Sequence, residues 1–153
     1  MPARPPISDL TSHLGFWLRM VSNHVSHAFA AKIAERGVTV AEWCVLRTLY
    51  RKAPMAPSQV AAEMGMSRGA ISKLADRLIA KSLIARTADA NDGRAQTLAL
   101  TNRGIALVPG LAALADRNDA QFFQSLTKAE RETLRRLLRD LAERGHMTAV
   151  PIE

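Results

Sequence analysis

The stretch from Pro57 to Asp76, PSQVAAEMGMSRGAISKLAD, constrains the fold more than any other part of the chain. It reads as two short helices joined by a tight turn. Pro57 suits a first helical position, where its missing N–H would have had no intrahelical partner. Gly65 suits a turn that needs positive φ, and Ser67 suits the N-cap of the next helix, which should run to about Lys81. Ala61 is small where two helices would cross, and Ile71 would plug the angle between them. These residue types fit a helix-turn-helix, although Ala, Gly and Ile recur at such intervals in other helical proteins.

The helix expected over about 67–81 has Ile71, Leu74, Ala75 and Leu78 on one face and Gly69, Ser72, Lys73 and Asp76 on the other. A helix that enters the major groove needs a slim polar face, and Gly69 and Ala70 allow close approach near its N-terminus. A plain solvated face would look similar. Beyond it, Ile84 to Thr87 and Ala95 to Leu100 read as two strands around the turn-rich Asp89-Ala90-Asn91-Asp92-Gly93. A hairpin there completes a winged helix, with Arg94 near the tip and free to enter a minor groove. An ordinary surface hairpin is the bland counterpart.

Charge points the same way as pattern. Residues 67–103 hold seven basic side chains (Arg68, Lys73, Arg77, Lys81, Arg86, Arg94 and Arg103) against Asp76, Asp89 and Asp92, in a chain whose formal charge is +7. A surplus concentrated in that way supplies affinity for phosphates. The candidate contacts to duplex DNA are therefore Ser67, Arg68, Gly69, Ser72, Lys73, Arg77, Arg86 and Arg94.

The remaining segments are helical. Residues 9–36 carry Leu10, Leu14, Val21, Val25 and Ala28 on one side and end at Gly37. Thr39 with Glu42 forms a capping box, with Val38 placed to staple against Trp43, and the second helix should reach about Lys52. Thr101 caps a fifth helix bearing Ile105, Leu107, Val108, Leu111 and Leu114, in which Pro109 should cause a kink or a local break. Thr127 with Glu130 caps a sixth, whose Leu134, Leu137, Leu138 and Leu141 form a stripe to be buried. The tail beyond Gly145 is expected to fray.

With 153 residues and 48% hydrophobic content, one domain with a real core is expected. The fold class expected is mainly α with a small β-hairpin wing. It comprises about six helices, a winged helix-turn-helix lobe over 39–100 (wing about 84–100), and a helical dimerisation layer from 9–36 and 102–145. The first and sixth helices carry apolar stripes that one small lobe could not cover alone, which predicts a homodimer.

Several function classes are disfavoured. The single Cys44 allows neither an internal disulfide nor a multi-thiolate zinc site and fits a reducing compartment. No run approaches the roughly 20 apolar residues of a membrane span, and Met1 to Leu10 lacks a signal-peptide layout, so a cytoplasmic protein with no membrane partner is expected. There is no nucleophile elbow, Gly-rich phosphate loop or metal-ligand cluster, so neither an enzyme nor a cofactor is expected.

On these residues the chain resembles the MarR family of bacterial regulators, from about Leu10 to Arg144. Asp92-Gly93-Arg94-Ala95-Gln96-Thr97-Leu98-Ala99-Leu100-Thr101 is similar to the family's Asp-x-Arg, spacer, Leu-Thr wing pattern. Ser67 to Arg86 is similar to its recognition helix and first wing strand, and Ala41-Glu42-Trp43-Cys44-Val45-Leu46-Arg47 to its second-helix segment. One departure is Ser82, where the family commonly has Gly. Ser82 must either adopt a left-handed conformation at a cost of about 1 kcal/mol or let the turn differ. The resemblance implies a homodimer built from the first, fifth and sixth helices, an effector cleft between that layer and the DNA-binding lobe, a pseudo-palindromic operator, and repression relieved by a small molecule.

Two sharper site readings follow. His13, Trp17, Met20, His24 and His27 are spaced by four and three, so they share one stripe of the first helix. That stripe faces a dimer seam, the wall of an effector cleft, the chain's own core, or, through His24 and His27, a metal for which no further ligands are identifiable. His13, Trp17, Met20, His24 and Trp43 are the effector-cleft candidates. Cys44 would be redox-responsive only with a depressed pKa in an exposed, electropositive setting; packing is the alternative. A winged helix used purely for protein–protein contact is the remaining class, against which the charge of residues 67–103 argues.

Overall fold

A computed structural model describes residues 1–89 and 91–153; Ala90, in the predicted wing turn, lies outside the described residues. The helices are α1 (Leu14–Ala34), α2 (Val40–Leu49), α3 (Pro57–Met64), α4 (Arg68–Ala80), α5 (Asn102–Phe123) and α6 (Lys128–Arg144). Strands β1 (Ile84–Ala88) and β2 (Gln96–Leu100) form an antiparallel hairpin between α4 and α5, in register from Ile84↔Leu100 to Ala88↔Gln96.

Local chemistry sets most of these boundaries. Thr39 accepts a bond from the Glu42 N–H while the Glu42 carboxylate accepts from the Thr39 N–H, and Thr127 with Glu130 repeats that reciprocal cap. Ser67 and Thr101 cap α4 and α5 by accepting from the N–H groups of Ala70 and Gly104. Pro57 opens α3, and Gly65 ends it at φ +63°, the left-handed conformation that permits an immediate turn into α4.

Three boundaries differ from expectation, and of the kink or local break expected at Pro109 the break does not occur. The first long helix begins at Leu14, because His13 is extended and residues 10–12 form a separate 3-10 turn closed by the Ser12 hydroxyl on Asp9 O. Helix α2 stops at Leu49, where Tyr50 turns extended and Arg51 takes φ +57°. Helix α5 runs through Pro109 without a break; the proline removes one hydrogen bond, and the buried Val108 and Leu111 on either side hold the helix by packing. The tail does not fray: Val150 N–H donates to Met64 O at 2.9 Å, and Val150 and Ile152 pack against the core.

Ser82 resolves its own alternatives by adopting φ +60°. The turn is retained because the Thr101 hydroxyl donates to Ser82 O at 2.6 Å and the Thr101 N–H to Leu83 O at 3.1 Å, contacts that offset the roughly 1 kcal/mol cost of a left-handed Ser. At the same corner, a Cβ on Gly104 would collide with Leu83 O, so only glycine lets α5 pass that close to the start of β1.

The core lies where α2, α3, α4, the hairpin and the middle of α5 meet. Leu46, Met64, Ile71, Leu78, Leu98 and Leu111 are all wholly inaccessible there, and Ile33 brings in the end of α1. Helix α6 is the opposite case and buries no residue. Its leucine stripe, expected to be buried, is open in the single chain, with Leu137, Leu138 and Leu141 42–58% exposed.

Candidate nucleic-acid interface

Helix α4 is amphipathic in the sense required. Ile71, Leu74, Ala75 and Leu78 are buried, whereas Arg68, Gly69, Ser72, Lys73, Asp76 and Arg77 are exposed. A Cβ at Gly69 would meet nothing within 4 Å, so the face is open as well as slim. Ser67 spends its hydroxyl on the cap, 3.1 Å from the Ala70 N–H, which orients the first turn of α4.

The wing is joined to this face by a salt bridge. Arg86 of β1 donates to Asp76 at 2.9 Å. One candidate cation is therefore paired in the free chain, and Asp76 gains a role: it holds the hairpin beside the exposed face of α4. The wing tip is shaped by side-chain caps, with Asp89 accepting from Asn91 N–H at 2.9 Å and Asp92 from Arg94 N–H at 3.1 Å. Arg94 is exposed. The Thr87 and Thr97 hydroxyls bond across the strands at 3.1 Å.

Two supports behind the face were not anticipated from sequence. Met55 pairs with Leu98 through both backbone bonds, at 3.0 and 2.7 Å, so the connection before α3 is stitched to β2. Lys81, counted above with the phosphate-seeking charges, instead places Nζ 2.9 and 2.8 Å from the two oxygens of the buried Glu42 and 2.8 Å from Gly37 O. Burial alone would push the Glu42 carboxyl up; the bonds from Lys81 and Thr39 outweigh it and hold it below the ordinary carboxylate range. The Glu42–Lys81 pair anchors the C-terminus of α4 to the start of α2.

A cleft of about 340 Å³ opens on the other side of α2, lined among others by Phe29, Trp43, Cys44, Asn118 and Val150. Of the five effector-cleft candidates, Trp43 is in this lining. Trp17 and Met20 are exposed on the N-terminal half of α1, as is the extended His13 just before it, and the Trp17 indole N–H donates to Thr11 O at 2.8 Å. His24 stands against Phe122 of α5, ring centroids 5.5 Å apart. Asn118, which sequence reasoning passed over, is buried and bridges α1 to α5 by accepting from Lys32 at 2.8 Å and donating to Val25 O at 3.3 Å. Burial pushes the Cys44 thiol up, the reverse of a thiolate sensor.

A MarR family model matches residues 36–95, from the end of α1 to the wing. The chain is also 30% identical over 146 residues to the protein named as transcriptional regulatory protein for the hcr operon of Thauera aromatica, covering 92% of this chain and 88% of that one. The chain belongs to the MarR family. Solved MarR family structures superpose over nearly the whole fold. One is a cysteine-to-serine variant of MarR from E. coli in complex with operator DNA, at 25% identity and TM-score 0.76, covering 88% of this chain and 99% of that one. Another is BpsR of Bordetella bronchiseptica, solved to explain how 6-hydroxynicotinic acid regulates its DNA binding, at 25% identity and TM-score 0.78, covering 90% and 98%. Members of the MarR family are transcriptional regulators, not enzymes. Among the described residues of this member no helix is long and apolar enough to cross a membrane.

Proposed function

We propose that the chain works in the cytoplasm as a homodimeric transcriptional regulator that grips a pseudo-palindromic duplex through α4 and the wing. The observation that carries this reading is the Arg86–Asp76 pair, which joins the wing to the open Gly69, Ser72 and Lys73 face, making one continuous surface for groove and backbone. Ser72 and Lys73 would meet base edges, while Arg68, Arg77 and Arg94 would neutralise phosphates or enter a minor groove. Arg86 acts chiefly by positioning the wing. The open leucines of α6 supply the seam between copies, and bound dimers would repress by occluding the promoter. The aromatic floor of the 340 Å³ cleft suits a small apolar or aromatic effector that relieves binding.

Selection of duplex fragments by the purified protein tests the reading. An inverted repeat with half-site centres about 10 base pairs apart is expected, because two recognition helices related by a two-fold axis reach successive major grooves. Inserting about five base pairs between half-sites turns one away from its helix and should abolish tight binding. Affinity that survives the insertion refutes the docking scheme, and salt-independent binding refutes DNA recognition through these cations.

A further inference from the structure

The chain reverses after α6. Helix α6 ends at Gly145, His146 takes φ +52°, and Met147 N–H bonds back to Ala142 O at 2.9 Å. This reversal sends residues 148–153 back along the α3–α4 turn and helix α2. Val150 N–H donates to Met64 O, the last carbonyl of α3 before the Gly65 turn. Ala149 lies directly on that turn: a Cβ at Gly65 would come 2.7 Å from Ala149 Cα. Pro151 O is 3.9 Å from the Cys44 sulfur of α2. Val150, Pro151 and Glu153 line the cleft together with Phe29, Trp43 and Asn118.

One short segment thus touches the joint of the helix-turn-helix, helix α2 and the mouth of the cleft. Its attachments among the described residues are few: one backbone bond from Val150, a long thiol contact to Pro151 O, the close approach of Ala149 to Gly65, and two half-buried aliphatic side chains. Ordering half a dozen residues offsets most of what those contacts contribute, which places the segment among the parts of a fold that open most easily. The cleft exists with the strap seated and is walled by it, so a ligand would rest against the strap and favour the seated state by as much as its affinities for the two states differ.

We propose that residues 148–153 are a strap that walls the cleft and fastens it to the α3–α4 joint, so that filling the cleft and seating the strap reinforce each other. The inference rests on the reading of the cleft as a ligand site. A ligand that holds the strap down fixes the Met64 carbonyl and the Gly65 turn, the elements that set how α4 leaves α3. By reciprocity, a DNA-bound position of α4 that loosens the strap weakens ligand binding by the same factor.

Cys44 is the only cysteine in the chain and lies beneath the strap, so its reaction with the neutral thiol reagent 4,4′-dithiodipyridine reports closure. Rates would be compared across pH to separate access from any change in thiol pKa, and cooperative thermal unfolding would confirm that each variant is folded. Val150→Asp and a chain ending at Met147 should both react about tenfold faster than the full chain, whereas Val150→Ile should react at the full-chain rate. The uncharged aromatic probe N-phenyl-1-naphthylamine should bind the shortened chain, which lacks that wall, at least about fivefold more weakly than the full chain. Equal labelling rates in full and shortened chains overturn the strap. Faster labelling with equal or tighter probe binding by the shortened chain overturns the coupling between strap and ligand. Absence of probe binding to either chain, with labelling still accelerated, overturns the ligand reading of the cleft and leaves the closure itself standing.

Discussion

The winged lobe and the C-terminal helix both carry regular leucine stripes, and these end up in opposite states. In the lobe, Leu46, Leu78 and Leu98 reach zero exposure because helices and hairpin close on them from several sides. In α6 an equally regular stripe, with a reciprocal cap at its start, buries nothing, and Leu141 remains 58% exposed. The N-terminal half of α1 shares that condition, with Leu14 88% and Trp17 48% exposed. The difference separates two jobs of an amphipathic helix: one completes a core within the chain, and the other leaves an apolar face open, here the face proposed as the seam with a second copy.

The sharpest way to break this comparison is to charge the open face and leave the closed one alone. Leu138→Asp combined with Leu141→Asp should leave a folded lobe but yield a monomer by sedimentation. Operator affinity should fall about a thousandfold, because two half-sites would no longer be bound as one. A dimer that persists with this pair of substitutions would mean the seam lies elsewhere. The complementary change, Leu46→Ala, should cost about 3 kcal/mol of unfolding free energy through an internal cavity, without shifting the monomer–dimer equilibrium of the folded protein.

A finer probe addresses the anchor behind α4. Glu42 is 1% exposed while the Lys81 side chain is 41% exposed, so solvent screens part of the pair. Glu42→Gln should therefore cost about 2 kcal/mol, less than a fully buried pair would lose. Because the folded-state pKa of Glu42 is lowered, its contribution is complete above the ordinary carboxylate value of 4.5 and is lost as pH falls through that range toward the folded value. Denaturant titrations of wild type from neutral pH down to about pH 3, below the ordinary carboxylate value, should show that loss. In Glu42→Gln the same pH interval should be flatter, and an unchanged slope would assign the acid sensitivity to other carboxylates.

What was legible in the sequence was local. The caps at Thr39, Ser67, Thr101 and Thr127, the proline start of α3 and the glycine turn after it each depend on residues within four positions, and all appear as read. Long-range pairings were not legible. Nothing in Met55 signals a partner at Leu98, nothing in Lys81 distinguishes a side chain folded onto Glu42 from one extended toward phosphate, and nothing in Val150 signals a bond to Met64. The candidate DNA-contacting side chains on α4 were readable because exposure follows helical period. The lining of the cleft was not, because it draws on α1, α2, α5 and the tail, and only Trp43 among its candidates was named in advance.

The smallest expected effects distinguish two parts of the same surface. Arg94 projects from a wing tip set by Asp92, and its charge has no carboxylate partner among the described salt bridges. Arg94→Ala should weaken binding to every duplex by about 1.5 kcal/mol and make the salt dependence shallower by nearly one unit, as expected when one phosphate contact is lost. Ser72 is uncharged and sits on the exposed face of α4, so Ser72→Ala should leave binding to random duplex and its salt slope unchanged. Its cost, about 1 kcal/mol, should appear only on the selected operator and at one position of it, as relaxed discrimination between bases. Titrating both variants against operator and random duplex at several salt concentrations separates the two roles. If Ser72→Ala flattened the salt slope, its hydroxyl would be serving the backbone and base reading would pass to Lys73; if Arg94→Ala bound operator as wild type does, the wing would carry no contact at all.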